Sequence, residues 1–243
     1  MAPRSADEAR LEGIVASGLR SWLAKARDAV MSQWHKHKAM PDPHAIFSTQ
    51  AAWKDEVDTI LTEIGKIGMG AWSRATDVPP VSRHAFVMAS LAQTENYLVA
   101  IPDEVYNKIF AEITDGSNAG ETIDKIAARV DDVLNWSGSQ NWPNRARVIA
   151  TTETTRAYGS ATVAAGMEQS RVTGRLLRKK WVSRSDAKVR AAHAEANGQI
   201  RALGEPFQVG AVPMQYPGDA SAPAGEVVDC RCGVEILNEG NVQ

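Results

Sequence analysis

The sequence predicts an α+β protein, with a mostly helical N-terminal region followed by a small C-terminal α+β domain that carries a long irregular loop. Apolar residues recur every three or four positions through most of the first 170 residues. After residue 175 short alternating runs replace that pattern. Gly and Pro then concentrate between residues 204 and 225.

The elements follow in order. Ser5 and Glu8 have capping-box spacing, and Leu11, Val15, Leu19, Trp22, Ala26, Val30 and Trp34 trace one face of a long helix. Met40-Pro41-Asp42-Pro43 breaks it. Trp53, Val57, Ile60, Ile64 and Ile67 mark a second helix, which Gly68, Gly70 and Val78-Pro79-Pro80 end. Arg83 to Leu98 fits a third. Pro102 suits the first turn of a fourth, carrying Val105, Ile109, Phe110 and Ile113. Asp115-Gly116-Ser117 reads as a turn. Asn118 then caps a helix burying Ile123, Ile126, Val130, Val133 and Leu134, with Glu121 three residues on. Asn135 to Asn144 is a polar loop holding Trp136 and Trp142, before an alanine-rich helix from about Arg145 to Ser170.

Leu176 to Val182 reads as a strand, and Asp186 to Ala196 as a short helix stopped by Asn197-Gly198. The loop from Gly204 to Gly225 is long for a compact domain, which points to function or to a bound ion holding it. A closing strand is expected from Gly225 to Leu237. The division is placed at 118/119: a helical region over 1–118 and an α+β domain over 119–243.

Bulk properties narrow the function. The 243 residues are 44% hydrophobic and 23% charged, with a formal net charge of -2, so no protein-wide positive field favours nucleic acid or anionic membrane. Met1-Ala2-Pro3-Arg4 lacks a signal-peptide pattern, and no run of 18 apolar residues exists, so no membrane span is expected. Cys230 and Cys232 stand too close for an easy disulfide and read as reduced thiols or metal ligands.

His193, Cys230 and Cys232 form the set with the most chemistry. Two thiolates and an imidazole suit zinc, and alternate positions on a strand point both sulfurs to one face. Asp186 or Asp229 is then a fourth ligand, or orients the histidine. Cysteine is also a small core residue, so a metal-free buried pair fits the same spacing. A thiolate beside a histidine is also a nucleophile pattern, although no Gly-x-Ser-x-Gly or His-Glu-x-x-His element accompanies it. Glu153 and Arg156 have i,i+3 spacing for an ion pair on a surface or partly buried face; the alternative is that they fix the helix against Arg190 or the closing strand. Arg171, Arg175, Arg178, Lys179 and Lys180 are the densest basic run, read either as a charge-protected strand edge or as a contact to DNA phosphates. His35, Lys36, His37 and Lys38 favour a helix C-terminus, and an exposed Trp136 and Trp142 loop would suit a protein partner.

From about residue 119 to 238 the order of features resembles the phage Mu protein F-like family. The resemblance rests on Gly120-Glu121-Thr122-Ile123, the helix from Arg147 through Thr152-Glu153-Thr154-Thr155-Arg156-Ala157, and Lys179-Lys180-Trp181-Val182. Asp186, Val189-Arg190, His193, Gly198-Gln199, Pro217-Gly218-Asp219, Pro223 and Asp229-Cys230-Arg231-Cys232 continue it. It implies a minor head (minor capsid) protein of a tailed double-stranded DNA phage or prophage. Such a protein acts in head morphogenesis at the portal vertex or inside the virion head, after assembly in the host cytoplasm. Its implied partners are portal, scaffold or major capsid protein, and packaged DNA. On this resemblance Glu153, Arg156, Trp181 and Arg190 are structural, no residue is catalytic, and the chain is not an enzyme. A head maturation protease and a DNA-binding packaged internal protein are the competing functions.

Overall fold

The computed structural model describes residues 6–75, 92, 94–135 and 141–238, without the side chains at 68–75 and 141. The fold is α+β. Its helices are α1 (Ala6–His37), α2 (Gln50–Ala75), α3 (Ile101–Asn118), α4 (Ile123–Leu134) and α5 (Asn141–Thr173), with short turns α6 (Ala191–Glu195) and α7 (Ala224–Val227). Among the described residues, five strands follow α5: β1 (Leu177–Val182), β2 (Ile200–Ala202), β3 (Phe207–Val209), β4 (Val212–Met214) and β5 (Gly233–Asn238). No helix among the described residues is long and apolar enough to cross a membrane.

The chain divides into two compact units, each built from separate segments. One comprises Met1–Glu12, Leu61–Thr94 and Val148–Gln243; the other comprises Gly13–Ile60 and Glu95–Arg147. These boundaries differ from the sequence division at 118/119. The boundaries at 12/13, 60/61 and 147/148 fall inside α1, α2 and α5, where an unbroken helix gives no sign of a division.

The helical unit has an apolar interior. Val15, Leu19, Trp22, Ala26 and Val30 are fully buried, as the periodicity of α1 requires, and Trp53, Val57 and Ile60 are buried from α2. The Trp22 and Trp53 rings meet at 5.1 Å. The Trp22 indole N–H donates to Thr49 Oγ1 at 2.9 Å, so its polar edge is satisfied within the core. Asp42 caps the 3-10 helix Pro43–Thr49. Arg27 pairs with Asp131 at 2.6 Å, and Arg129 joins Glu121 at 2.7 Å and Glu112 at 3.0 Å.

Several boundaries differ from expectation. α2 continues through Gly68 and Gly70 to Ala75. Asp115-Gly116-Ser117 is the last turn of α3, not a turn between helices. Gly116 belongs there because a Cβ would meet Ile126 Cγ1 at 2.7 Å, so its absence lets α3 and α4 approach. Thr122, not Asn118, caps α4, accepting from the Lys125 N–H. Trp142 does not stand in a partner-binding loop: it lies in the first turn of α5, buried, with its indole N–H donating to the Val133 carbonyl at 2.9 Å. The Ser5 cap, most of the expected helix 83–98, Val78-Pro79-Pro80 and Trp136 lie outside the described residues.

In the other unit β1 is the centre of an antiparallel sheet of order β2-β1-β5, with Lys179 opposite Arg201 and Ile236. The Gly- and Pro-rich loop is less irregular than expected. It contains the hairpin β3–β4, where Phe207 pairs with Met214 and Val209 with Val212. Three-residue strands are too short to leave an alternation signal, and their order comes from packing. Trp181, Ala196, Phe207, Val209, Met214, Val227, Cys230 and Cys232 form one core cluster.

Candidate functional site

The site is assembled on α5. Thr152, Glu153, Thr154, Thr155 and Arg156 are all buried, so one complete polar turn of this helix is enclosed on every side. Each polar group needs a partner there, and most find one in the loops of the C-terminal half. The Asp229 N–H donates to Thr152 Oγ1 at 2.9 Å, and the Thr155 hydroxyl donates to the Cys230 carbonyl at 2.6 Å. Arg156 donates to Glu153 at 2.5 Å and to the Gly218 carbonyl at 3.2 Å. Thr94 completes the pair by donating to Glu153. Burial pushes the Glu153 carboxyl above its ordinary range, against the pull of Arg156. Gly218 has φ +81, and a Cβ there would meet Arg156 N at 2.9 Å. Only glycine combines that backbone conformation with that approach. The pair is thus fully buried and grips the Pro217-Gly218-Asp219 loop.

Asp219 shapes the same loop, accepting from the Gln215 N–H at 2.6 Å and from Ser221 N and Oγ at 2.9 and 2.8 Å. Arg190 donates to the Val228 carbonyl at 2.5 Å. The segment 217–230 is therefore fixed by side chains from α5 and from the loop before α6.

These clamps deliver Cys230 and Cys232 to His193. Both cysteines are buried free thiols. Their sulfurs lie 3.6 and 3.5 Å from His193 Nδ1, and the three ligand atoms lie within 4.8 Å of one another. The cysteines do not sit on a closing strand. Residues 224–227 are helical, Asp229 turns the chain at φ 56, and β5 begins at Gly233. The two valines, 227 and 228, suggested a strand by propensity, but burial of Val227 alone fits a helical turn. That turn aims Glu226 at the imidazole: Glu226 Oε2 is 2.9 Å from His193 Nε2. The His193 ring also packs edge-on against Trp181 at 5.5 Å, and Trp181 against Phe207 at 5.4 Å.

The residue types fix the electrostatics. A hydrogen bond from Cys232, helped by His193, pulls the Cys230 thiol down to about 5 against the opposing effect of burial. Cys232 is pushed up by its bond to Cys230 and by burial. Burial opposes charge on His193, but Cys230 and Glu226 together raise it above its ordinary value. These directions favour ionisation of Cys230 over Cys232, beside a His193 that holds its proton more readily than a free imidazole. With a soft cation the site offers two thiolates and an imidazole.

Asp186 and Asp229 are not part of this cluster. Asp186 accepts both Arg231 nitrogens at 2.7 Å, which holds its carboxyl down at about 2, and it caps its own turn through Lys188. The helix expected from Asp186 therefore starts only at Ala191. Asp229 contributes its backbone N–H to Thr152. A pocket of about 10 Å³ borders the cluster, lined by Arg190, Asp229 and Arg231 among others. A larger cleft of about 450 Å³ includes Glu8, Thr154, Tyr158 and Arg184. Glu8 pairs there with Arg184 at 2.8 Å, and Tyr158 donates to Asp7.

The basic run does not form one surface. Lys179 is fully buried, its ammonium donating to Gln215 O and Oε1 at 2.9 Å and lying 5.1 Å from the Phe207 ring centroid. Burial lowers it to about 8. Strand alternation sends Arg178 outward and Lys179 inward, so the DNA-contact expectation fails at Lys179. Lys180 pairs with Glu235 at 3.2 Å and Arg171 with Glu168 at 2.7 Å, while Arg175 is exposed.

Two residues of the site escaped sequence reasoning. Glu226 stands 33 positions from His193, in a stretch read as strand. The Lys179–Gln215 contact joins residues 36 positions apart in a loop that carried no pattern. No periodicity links such pairs. Residues 107–235, just over half of the chain, match the family described as Phage Mu protein F like protein. No curated protein and no solved structure matches the chain.

Proposed function

The chain belongs to the Phage Mu protein F like family, and on that premise we propose that it is a minor head protein of a tailed double-stranded DNA phage or prophage. It acts in head morphogenesis, bound at the portal or the procapsid interior, and its partners are head proteins. The observation that carries this reading is the family match over 107–235. The matched segment includes the buried polar turn of α5, the Pro217-Gly218-Asp219 loop and the Cys-x-Cys turn, which meet in a buried framework.

The burial of the thiols supports a structural role over proteolysis. Cys230 is 2% exposed, and the adjoining pocket of about 10 Å³ admits little more than one water. A peptide carbonyl needs to reach the sulfur for nucleophilic attack. The division of the basic run weakens the DNA-binding reading.

The test is co-expression of the tagged chain with the portal and major capsid proteins of its own phage or prophage, followed by gradient sedimentation. Co-sedimentation with portal rings or procapsids, and malformed heads when the gene is removed, is the expected result. Normal heads without the chain, with the chain remaining free in the lysate, defeats the proposal.

A further inference from the structure

We propose that His193, Cys230 and Cys232 hold one zinc ion through Nδ1 and two thiolates, with Glu226 orienting the imidazole and solvent taking the fourth position. This inference rests on geometry and does not depend on the head-protein reading.

Tetrahedral zinc with bonds of about 2.3 Å to sulfur and about 2.05 Å to nitrogen places those two atoms about 3.6 Å apart. The two sulfurs lie 3.6 and 3.5 Å from Nδ1. The three side chains also converge: Nδ1 and both sulfurs lie within 4.8 Å of one another, as ligands of a single ion do.

The Glu226 carboxylate accepts from Nε2–H at 2.9 Å, which turns Nδ1 toward the sulfurs, where it would ligate on losing its proton to the incoming ion. A carboxylate on the far nitrogen is a regular companion of a metal-bound histidine. The site is buried, and two thiolates with a divalent cation sum to zero, so the ion would let both cysteines ionise in this interior. The pocket of about 10 Å³ that borders all three ligands has room for one water as the remaining ligand. The ion would tie α6 to the turn that precedes β5, closing the chain from 193 to 230 into one loop.

The full chain, purified without chelator, should carry one zinc per molecule by inductively coupled plasma mass spectrometry. Chain stripped of metal and titrated with Co²⁺ should develop thiolate-to-cobalt charge transfer and intense tetrahedral d–d absorption, saturating at one equivalent. That measurement needs no variant, so it stands even where Cys230→Ser or Cys232→Ser fails to fold. Glu226→Gln should retain one-to-one binding with affinity lowered about 10–100-fold, measured against a chromophoric chelator. A wild-type chain free of zinc that gives only the pale octahedral cobalt spectrum overturns the site. Unchanged affinity in Glu226→Gln overturns the orienting role.

Discussion

In the helical unit the interior is aliphatic and aromatic. Among the described residues its one buried polar side chain is Thr49, which Trp22 satisfies. The other unit buries Thr94, Thr152, Glu153, Thr154, Thr155, Arg156, Lys179, His193 and Asp219. Its ordered loops hang on those groups. Apolar burial is non-directional and tolerates repacking. A buried hydrogen-bonded pair fixes which carbonyl sits where and is costly when half is removed. The helical unit is thus stabilised chiefly by area, while the site-bearing unit depends on particular partners.

The largest expected effect attacks that dependence. Arg156→Met leaves Glu153 buried without its cation and should cost about 3–5 kcal/mol in urea unfolding. Adding Glu153→Gln should recover a large part of that loss, because the stranded charge is then gone. A single-mutant cost near zero would mean that the polar framework is not what holds this unit.

Leu19→Ala, fully buried in the apolar unit, should cost about 2–5 kcal/mol, with no partner substitution able to restore it by charge logic. The two glycines sharpen the contrast. Gly218→Ala meets backbone at positive φ and should cost about 2–3 kcal/mol. Gly116→Ala meets only the Ile126 side chain, which can rotate, and should cost about 1–2 kcal/mol. Equal costs in thermal unfolding would erase the distinction between the units.

The smallest effect is a pH dependence. Lys179 is held at about 8, below its ordinary value near 10.4, so between those values the unfolded chain binds more protons than the folded one. Stability should therefore rise with pH across that window, and Lys179→Met should lack the increment. Parallel pH profiles for the two proteins would show that Lys179 titrates normally.

The same contrast explains what was legible. Leu11 to Val30 and Trp53 to Ile67 announced their burial because an apolar core repeats with the helix. The enclosed turn of α5 did not, since the polar run Thr152 to Arg156 carries no apolar period. Its motif pointed to structure without giving the partners. His193, Cys230 and Cys232 could be grouped by chemistry alone. Glu226 could not, because one carboxylate in a valine-rich stretch carries no signal until the turn at Asp229 is known. The hairpin β3–β4 was hidden by its length.

The site-bearing unit contains residues near the start of the chain and its last described strand. Glu8 pairs with Arg184, and β5 closes onto β1 along Leu177 to Val182. During synthesis the early segment must wait for the rest, because its partners emerge more than a hundred residues later. Such non-local closure is slow. A ribosome that stalls before Asn238 leaves β1 without its full partner, and with it an unfinished unit. Translation through Asn238 is thereby a condition for completing the β1–β5 ladder.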